Sequence, residues 1–408
     1  MSKVPAGWGV KTLGMICNGK LQTGPFGSQL YSHEYSEVGI PVLMPKDLIN
    51  CRADLGSAAK IPPERAVDLK KHTLKKGDLL FSRRGDVARF ALIEGNSIGA
   101  LCGTGCLKAS PTENYSSEFL MYCLQLDTVK TWLEQNAVGQ TMLNMNTSIL
   151  SELPLFISDN KREQERIAQI LSTWDKAIAT TEKLIGNSQQ QKKALMQSLL
   201  TGKKRLPGFE GEWEQVRLGN VCQMSSGGTP KSTVSEYYGG EIPWVSIADM
   251  TKQGMWISRT ERNLTQEGID NSSARVYPVN TILYAMYASI GECSIAKVAV
   301  ASSQAILGIR PNENVFYLYI YYFLSSLKEE VKLQGQQGTQ ANLNAGMVKD
   351  FSLKLPPLPE QQKIAAILTA ADNEIDLLQK KLAFLKQEKA ALMQQLLTGK
   401  RRVKVEAA

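Results

Sequence analysis

The stretch from Glu163 to Lys203 reads EQERIAQILSTWDKAIATTEKLIGNSQQQKKALMQSLLTGK, and the stretch from Glu360 to Lys400 reads EQQKIAAILTAADNEIDLLQKKLAFLKQEKAALMQQLLTGK. Both open on Glu-Gln, contain an Ile-Ala-x-Ile-Leu block and close on Leu-Met-Gln-x-Leu-Leu-Thr-Gly-Lys. They align without a gap at an offset of 197 residues. Two such copies in one chain predict an internal duplication.

Apolar residues recur in each copy with the alternating four- and three-residue step of a helix that packs on another helix. The step begins at Ile167 in the first copy and at Ile364 in the second, and it continues for five heptads. Gly202 and Gly399 follow the last apolar residues, where glycine commonly ends a helix. Each copy therefore predicts a helix of about 38 residues, roughly 55–60 Å long.

Neither helix can bury its apolar stripe alone. An ordinary coiled-coil segment would explain either copy by itself, but two matching copies favour packing of the two helices on each other in antiparallel orientation. Polar residues interrupt the stripe of the first helix at Thr181, Ser188 and Lys192. We expect these residues to fix the register of the pair at some cost in stability.

The duplication extends beyond the helices. Trp8 is matched by Trp213, and the Ile-Pro pair at Ile40 is matched by the pair at Ile242. Shorter matches join 77–81 to 280–284 and 144–146 to 342–344. The sequence thus predicts the order globule, helix, globule, helix. The predicted boundaries are 1–158, 159–203, 204–356 and 357–402.

Each globule is predicted to mix helices and strands, which places the chain in the α+β class. A turn followed by a buried strand is expected at 76–81 and at 279–284, with candidate partner strands at 90–93 and 295–300. Helices are expected at 118–136 and 317–333, and glycine-rich loops at 23–28 and 225–230. An antiparallel helix pair with a similar globule on each helix would have an approximate two-fold axis. That arrangement suits a DNA duplex, with the helices setting the distance between two reading globules.

The composition limits the number of domains and the kind of partner that the chain can have. With 408 residues and 43% apolar content, the chain can form two or three domains with cores of their own. A net charge of +8 favours an acidic partner such as nucleic acid. The seven cysteines include no Cys-x-x-Cys pair and the chain has only two histidines, so we expect buried thiols in the cytoplasm. The N-terminus lacks a signal-peptide core, and the longest apolar run, 315–327, is too short to cross a bilayer.

Several motifs together resemble the specificity subunit of type I restriction–modification systems. They are Pro-Leu-Pro-Glu-Gln-Gln-Lys-Ile-Ala-x-Ile-Leu at 357–368 with a looser copy at 161–171, the Leu-Leu-Thr-Gly-Lys ends of both helices, Gly-Gly-Thr-Pro at 227–230 and Ile-Pro-Trp-Val-Ser-Ile-Ala-Asp-Met at 242–250. The resemblance covers essentially the whole chain, including its tandem order. The first globule departs from it, with Thr-Gly-Pro-Phe-Gly-Ser at 23–28, which looks like a different variant of recognition domain.

The resemblance implies separate roles for the globules, the long helices and the partner subunits. Each globule would be a target recognition domain that reads one half of a bipartite, asymmetric DNA site. The two helices would set the gap between the halves and dock two modification subunits, which bind S-adenosylmethionine and methylate adenine. Two restriction subunits, which use ATP and Mg²⁺, can join such a complex. This chain would carry no cofactor and no catalytic site of its own.

Two sequence motifs that a catalytic subunit would need are absent, which agrees with a non-catalytic role. An adenine methyltransferase would need an Asn/Asp-Pro-Pro-Tyr/Phe motif for the flipped base, and the sequence has none. It also has no Gly-x-x-x-x-Gly-Lys-Ser/Thr phosphate loop. A stand-alone DNA-binding regulator would explain the charge but not the long helices. A protein scaffold would explain the helices but not the charge.

Candidate DNA contacts follow from differences between the two copies. Arg83, Arg84 and Arg89 come directly after the central strand of the first globule, and arginine is the usual bidentate reader of guanine. The corresponding residues of the second globule are Met286, Tyr287 and Glu292. A position that is basic in one copy only is a poor core position and a fair specificity position. A solvated surface remains the alternative for each.

Further candidates lie in loops and on the surface of the second globule. Small residues let backbone amides approach a phosphate, so the loop after the first strand of this globule is a candidate. The candidates outside the central-strand loop are Lys46 in the first globule and Thr229, Lys231, Ser232, Lys252, Arg259 and Arg262 in the second.

Overall fold

The computed structural model describes residues 5–26, 29–139, 142–337 and 343–404. Contacts divide the chain into two compact units, the first made of residues 1–181 and 381–408 and the second of residues 182–380. Gly27 and Ser28 of the first predicted loop, and Asn342 of the predicted repeat, lie outside the described residues. The boundaries predicted for the four segments stay a prediction.

The first unit mixes short strands with helices. Its strands are β1 Trp8–Thr12, β2 Leu21–Thr23, β3 Ile40–Leu43, β4 Leu48–Ile49, β5 Arg52–Ala53, β6 Ala59–Ile61, β7 Leu79–Ser82, β8 Phe90–Leu92, β9 Leu101–Cys102, β10 Cys106–Ala109 and β11 Pro154–Ser158. Its helices are α1 Leu13–Ile16, α2 Pro63–Asp68, α3 Ser117–Cys123, α4 Asp127–Asn136 and α5 Thr147–Ser151. The long helix α6, Lys161–Leu199, begins in this unit.

The second unit has the same mixture. Its strands are β12 Glu214–Arg217, β13 Cys222–Ser226, β14 Tyr238–Val245, β15 Trp256–Ile257, β16 Arg262–Leu264, β17 Ile282–Ala285, β18 Cys293–Ala296, β19 Ala301–Ser302, β20 Ile306–Pro311 and β21 Ser352–Leu355. Its helices are α7 Leu218–Val221, α8 Ile247–Gln253, α9 Gln266–Asp270, α10 Tyr317–Ser326, α11 Lys328–Gln337 and α12 Ala345–Lys349. The long helix α13, Leu358–Leu396, begins here.

The two units share their sheet topology. The larger sheet has strand order β2-β10-β7-β8 in the first unit and β13-β20-β17-β18-β15 in the second. A smaller sheet, β6-β3-β9 or β16-β14-β19, contains one parallel pair in each unit. The central strands β7 and β17 are buried along their whole length, which confirms the strands predicted from 76–81 and 279–284. This agreement shows that the repeat in the sequence is a structural repeat.

Both predicted helices of the globules are interrupted. The helix expected at 118–136 is two helices, α3 and α4, with a break at 124–126, and the helix expected at 317–333 breaks at Leu327. Apolar residues of both α3 and α4, among them Phe119 and Leu133, pack in one core. The local periodicity therefore predicted the helical content of this segment but not the break within it.

A buried carboxylate ties α6 to the first globule. Glu163, the residue that opens the repeated stretch, is only 1% exposed. It accepts hydrogen bonds from Trp8 Nε1 at 3.1 Å, from Ser158 Oγ at 2.6 Å and from both Nε and Nη2 of Arg402 at 2.5 and 3.0 Å. Residues from the start, the middle and the end of the chain therefore meet at one side chain.

The second unit repeats this arrangement. Glu360 is fully buried and accepts hydrogen bonds from Trp213 Nε1 at 3.0 Å and from Nε and Nη2 of Arg205, both at 2.8 Å. The glutamine that follows each glutamate, Gln164 or Gln361, also binds backbone groups of its globule. The Glu-Gln pair that opens each copy thus orients a helix on a globule.

A second polar cluster lies further along each long helix. In the first unit Tyr122 donates a hydrogen bond to Asp175 at 2.6 Å, and Lys389 forms an ion pair with the same carboxylate at 2.6 Å. Glu163 contacts Arg402, and Asp175, further along α6, contacts Lys389, which is earlier in the chain than Arg402. The helical segments of this unit therefore run antiparallel. The second unit has the same cluster, made of Tyr322, Asp372 and Lys192.

The polar residues predicted to fix register are in contact with helix segments of their own unit. Ser188 donates a hydrogen bond to Glu374 at 3.3 Å, and Lys192 binds Asp372 at 2.5 Å. Thr181 instead donates to the carbonyl of Ala177, one turn earlier in the same helix. A coiled coil along the full length of the helices stays a prediction.

Candidate nucleic-acid interface

Four loop segments meet at the end of central strand β7 in the first globule. The amide of Arg83 donates to the carbonyl of Gly105 at 2.7 Å, and the carbonyl of Arg83 accepts from Met145 at 2.8 Å. The amide of Gly85 donates to Leu143 at 3.0 Å. We call this region the loop edge; in the first globule it comprises residues 24–26, 83–89, 103–105 and 143–145. Its backbone is held by hydrogen bonds, so its side chains are free to differ.

The second globule has the same loop edge, formed by residues 227–229, 286–292, 303–305 and 343–344. The amide of Met286 donates to Ala305 at 2.9 Å, and its carbonyl accepts from Leu343 at 3.1 Å. Gly85 and its counterpart Ala288 both have positive φ, at 75° and 59°. An alanine in the left-handed region carries strain of about 1 kcal/mol, so the backbone shape is kept even without glycine.

The first loop of each edge passes unusually close to the neighbouring turn. A Cβ atom on Gly24 would lie 1.9 Å from the carbonyl oxygen of Gly103, and one on Gly227 would lie 2.2 Å from that of Ser302. Thr229 donates a hydrogen bond to the side chain of Gln304. The two glycine-containing loops are thus structural counterparts, although their sequences differ.

The predicted arginines of the first globule occupy different environments. Arg84 is exposed, and Arg83 is half-buried with its guanidinium carbon 5.4 Å from the centre of the Phe26 ring. Arg89 is exposed, donates to the carbonyl of Pro45 at 3.3 Å and lies 3.4 Å from the Asp86 carboxylate. All three arginines therefore lie on or beside the loop edge.

Arg89 and Lys46 are brought together by the fold. They line a cleft of about 620 Å³ in the first globule, together with Lys130 of α4. Lys46 Nζ donates to the carbonyl of Ser57 at 3.2 Å, which holds its side chain along the cleft. The cleft thus gathers three cations together with the Asp86 carboxylate, which lies 3.4 Å from Arg89 and offsets part of their charge.

Sequence reasoning missed the turn on the wall of this cleft. Asn50 and Cys51 join β4 to β5, and both have positive φ, 50° and 62°. Two left-handed residues in succession define the tight hairpin turn that normally uses Asn-Gly. The asparagine was a usable signal, but a cysteine in the second place hid the turn.

The candidates of the second globule form two groups. Lys231 and Ser232 are exposed beside Thr229, in a turn closed by the amide of Val234. Trp244 connects this loop to the small sheet, because its Nε1 donates to the carbonyl of Gly228 at 3.0 Å. The strand partner of Trp244 is Arg262.

Lys252 and Arg259 lie beside the same small sheet. Gln253, next to Lys252, donates a hydrogen bond to the carbonyl of Arg259 at 2.6 Å. Lys252 itself forms an exposed ion pair with Glu261 at 3.4 Å, which offsets its charge. Arg259 and Arg262 are therefore the better placed cations of this group.

Other kinds of site find little support in the described part of the chain. Burial raises the pKa of the Cys17, Cys102 and Cys222 thiols to about 12, so these thiols stay protonated at neutral pH and are poor nucleophiles. No group of three or more His, Cys, Asp or Glu side chains in residues 5–26, 29–139, 142–337 and 343–404 is placed to hold a metal ion. Among the described helices none has the length and apolarity needed to cross a membrane.

Comparison with known proteins finds relatives of one kind. The chain is 26% identical to a putative type I restriction enzyme specificity subunit of Methanocaldococcus jannaschii, over 99% of this chain and 96% of the relative. It is 28% identical to the EcoR124I/EcoR124II specificity subunit of Escherichia coli, over 54% of this chain and 56% of that protein.

Solved structures and a family model give matches of the same kind. The S subunit of a type I restriction–modification system from M. genitalium superposes with a TM-score of 0.62 at 16% identity, covering 97% of both chains. A subunit from a study of type I R-M complex assembly and conformational transition gives a TM-score of 0.61 at 19% identity, covering 97% of this chain and 99% of that one. These two likenesses show a common fold. The model of the type I restriction modification DNA specificity domain matches twice, at residues 5–187 and 210–387, and the chain therefore belongs to this family.

Proposed function

We propose that this chain is the DNA sequence-reading subunit of a type I restriction–modification complex and has no catalytic site. The observation that carries the proposal is the double match to the DNA specificity domain, one match over each globule. Two loop edges with the same backbone and different side chains support it. Such a pair can read two different half-sites, so the target would be bipartite and asymmetric.

The two globules would use different chemistry. The first offers Arg83 and Arg84 at its loop edge for bases, and the cleft of Lys46 and Arg89 for the DNA backbone. The second has Met286 at the place of Arg83. This side chain is only 3% exposed and packs in the core of the second unit, so the expectation that the position is unsuited to a core is wrong for this globule, and Met286 offers no contact. The polar contacts of the second globule would come from Thr229, Lys231, Ser232, Lys252, Arg259 and Arg262.

The partners follow from the same proposal. The long helices α6 and α13, each of 39 residues, would pack as an antiparallel pair with approximate two-fold symmetry, separate the recognition domains and dock two modification subunits. Two restriction subunits could join them. S-adenosylmethionine, ATP and Mg²⁺ would be bound by those partners in the cytoplasm, and this chain would bind none of them.

The direct test is single-molecule mapping of N6-methyladenine in cells that express this chain with and without its modification subunit. We expect one bipartite motif, present only when both proteins are expressed. Exchange of residues 204–356 for the second globule of a relative should change one half of the motif and leave the other intact.

Two other results would each favour a different reading. A complex that forms without any methylated motif would indicate a scaffold. Sequence-specific DNA binding by the isolated chain, without co-purification of a modification subunit, would indicate a stand-alone regulator. Both results would contradict the proposal.

A further inference from the structure

Phe26 is an apolar ring that the fold holds in an exposed place. The ring is 50% exposed, although the first globule has a large core nearby. Its loop is fixed on the preceding side, because Gly24 donates to the carbonyl of Cys106 at 3.0 Å and Thr104 Oγ1 donates to that of Pro25 at 2.9 Å. The position of Phe26 is therefore built into the loop edge.

The group beside this ring is the guanidinium of Arg83, which keeps one donor unpaired among the described residues. The guanidinium carbon of Arg83 lies 5.4 Å from the ring centre. Its Nε is buried and has no hydrogen-bond partner among the described residues. A buried donor left unpaired costs about 1–3 kcal/mol, so it needs an explanation, and an acceptor supplied by a bound ligand is one.

Few chemical groups could accept hydrogen bonds from the Arg83 guanidinium while it lies on an aromatic ring. An aromatic face holds a guanidinium through cation–π attraction and leaves its in-plane N–H groups free to donate to two acceptors at once. Both the O6/N7 edge of guanine and a phosphate have that geometry. The shared requirement is therefore a flat pair of acceptors.

The duplication decides between these two sources. A phosphate is present at every half-site, so a phosphate contact would be useful in both globules. At the corresponding places the second globule has Met286, which is buried in its core, and Thr229, which carries no charge, while the backbone hydrogen bonds at Arg83 are repeated at Met286. A contact that is dropped while its scaffold is kept is expected of a group that reads one base.

We propose that Arg83 reads a guanine in the half-site of the first globule and that Phe26 is the positioning residue that holds its guanidinium flat for that contact. This inference rests on the proposed function and names the base that the first globule recognises.

The test uses the complete complex with its modification subunits. Methylation rates and motifs are compared for Phe26→Leu, Phe26→Tyr and Arg83→Lys, with Val38→Thr as a control at an exposed residue of the same globule. Phe26→Leu removes the aromatic face and should slow methylation of the native site about tenfold, the order of a cation–π contact. Both Phe26→Leu and Arg83→Lys should relax one G·C pair in one half-site. Phe26→Tyr and the control should keep the motif.

Substitution of that guanine by 7-deazaguanine separates reading from stability. The analogue lacks the N7 acceptor, so it should slow the wild-type complex about tenfold and the Arg83→Lys complex by less, because lysine lacks the planar fork that donates to O6 and N7 together. A variant that merely unfolds would lose activity equally on both DNAs. An unchanged motif in Phe26→Leu and Arg83→Lys would overturn the inference. So would a uniform loss on all sites with a shallower salt dependence, which indicates a phosphate contact. Failure of the wild-type complex to methylate any bipartite motif would instead contradict the proposed function.

Discussion

Replacement of Arg402 by methionine should destabilise the first unit selectively. Arg402 provides two of the four hydrogen bonds that the Glu163 carboxylate accepts. Methionine keeps much of the apolar stem and removes the charge. Glu163 is only 1% exposed, so water cannot replace the lost donors.

The expected loss in the free energy of unfolding follows from the burial and the hydrogen bonds of this ion pair. Breaking a buried ion pair by removing one partner costs about 3–5 kcal/mol. Two circumstances reduce this value here: the Arg402 side chain is 47% exposed, and Trp8 and Ser158 still donate to Glu163. We therefore expect a loss of about 2–3 kcal/mol, or roughly 5–10 °C in the melting temperature of a unit of this size.

Hydrogen exchange in increasing denaturant resolves the two units within one chain. The matched variant is Arg205→Met, which removes the same two hydrogen bonds from Glu360 in the second unit. Each variant should lower the exchange stability of its own unit. Adding Glu163→Gln to Arg402→Met should recover part of the loss, because a neutral amide is cheaper to bury than a carboxylate. The reasoning is refuted if Arg402→Met leaves the first unit unchanged.

Acid should erase the effect of this substitution. Burial acts to raise the pKa of Glu163, but hydrogen bonds from Arg402 and Ser158 outweigh it and hold the pKa below the usual value. The contact between Glu163 and Arg402 therefore stabilises the fold fully above the unfolded-state pKa of glutamate, about 4.3. This contribution is lost as the pH falls through the lower pKa that Glu163 has in the folded state. The difference between wild type and Arg402→Met in urea unfolding should shrink below about pH 4. A difference that stays constant from pH 7 to pH 3 would contradict this account.

Four further substitutions, three in the second unit and one in the first, test local packing, each by urea unfolding. The buried hydroxyl of Tyr284 has no partner among the described residues, whereas Phe81 is its counterpart; Tyr284→Phe should stabilise the second unit by about 1–2 kcal/mol, and Phe81→Tyr should destabilise the first. Gly227→Ala places a Cβ 2.2 Å from the Ser302 carbonyl oxygen and should cost about 1–3 kcal/mol. Gly186→Ala, inside α6 with nothing near its Cβ, should instead stabilise by about 0.5–1 kcal/mol. Opposite signs would show that these local arguments fail.

The long helices were predictable because their signal is local and repeated. A heptad pattern and a terminal glycine are properties of neighbouring residues, and α6 and α13 indeed end at Leu199 and Leu396, three residues before glycines with φ near 70°. The strands after Gly77 and Asn280 were predictable for the same reason. Both residues have positive φ, at 86° and 67°, and both precede a fully buried strand.

Contacts between distant residues were not predictable in this way. The match of Trp8 with Trp213 marked a repeat, but nothing in the pattern indicated that each indole binds the glutamate at the start of a long helix. Arg402 lies 239 residues from Glu163, and its role depends on the path of the chain between them. The same limit applies to the candidate site. The loop containing Phe26 was recognised, but its contact with Arg83 exists only once the four loop segments have folded together.

The duplicated architecture separates what holds the loop edge from what would read DNA. The edge is fixed by backbone hydrogen bonds at Arg83 and Met286 and by close backbone approach at Gly24 and Gly227. Backbone groups are the same for every residue, so these bonds persist when a side chain changes from arginine to methionine. The side chains take different roles on this common backbone, because Arg83 is half-buried at the edge whereas Met286 is 3% exposed and packs in the core of the second unit. A fold that anchors its loops through the main chain can therefore keep the edge while one side chain changes from a surface cation to a core residue. This reasoning explains why one chain can carry two copies of a scaffold with such different surfaces.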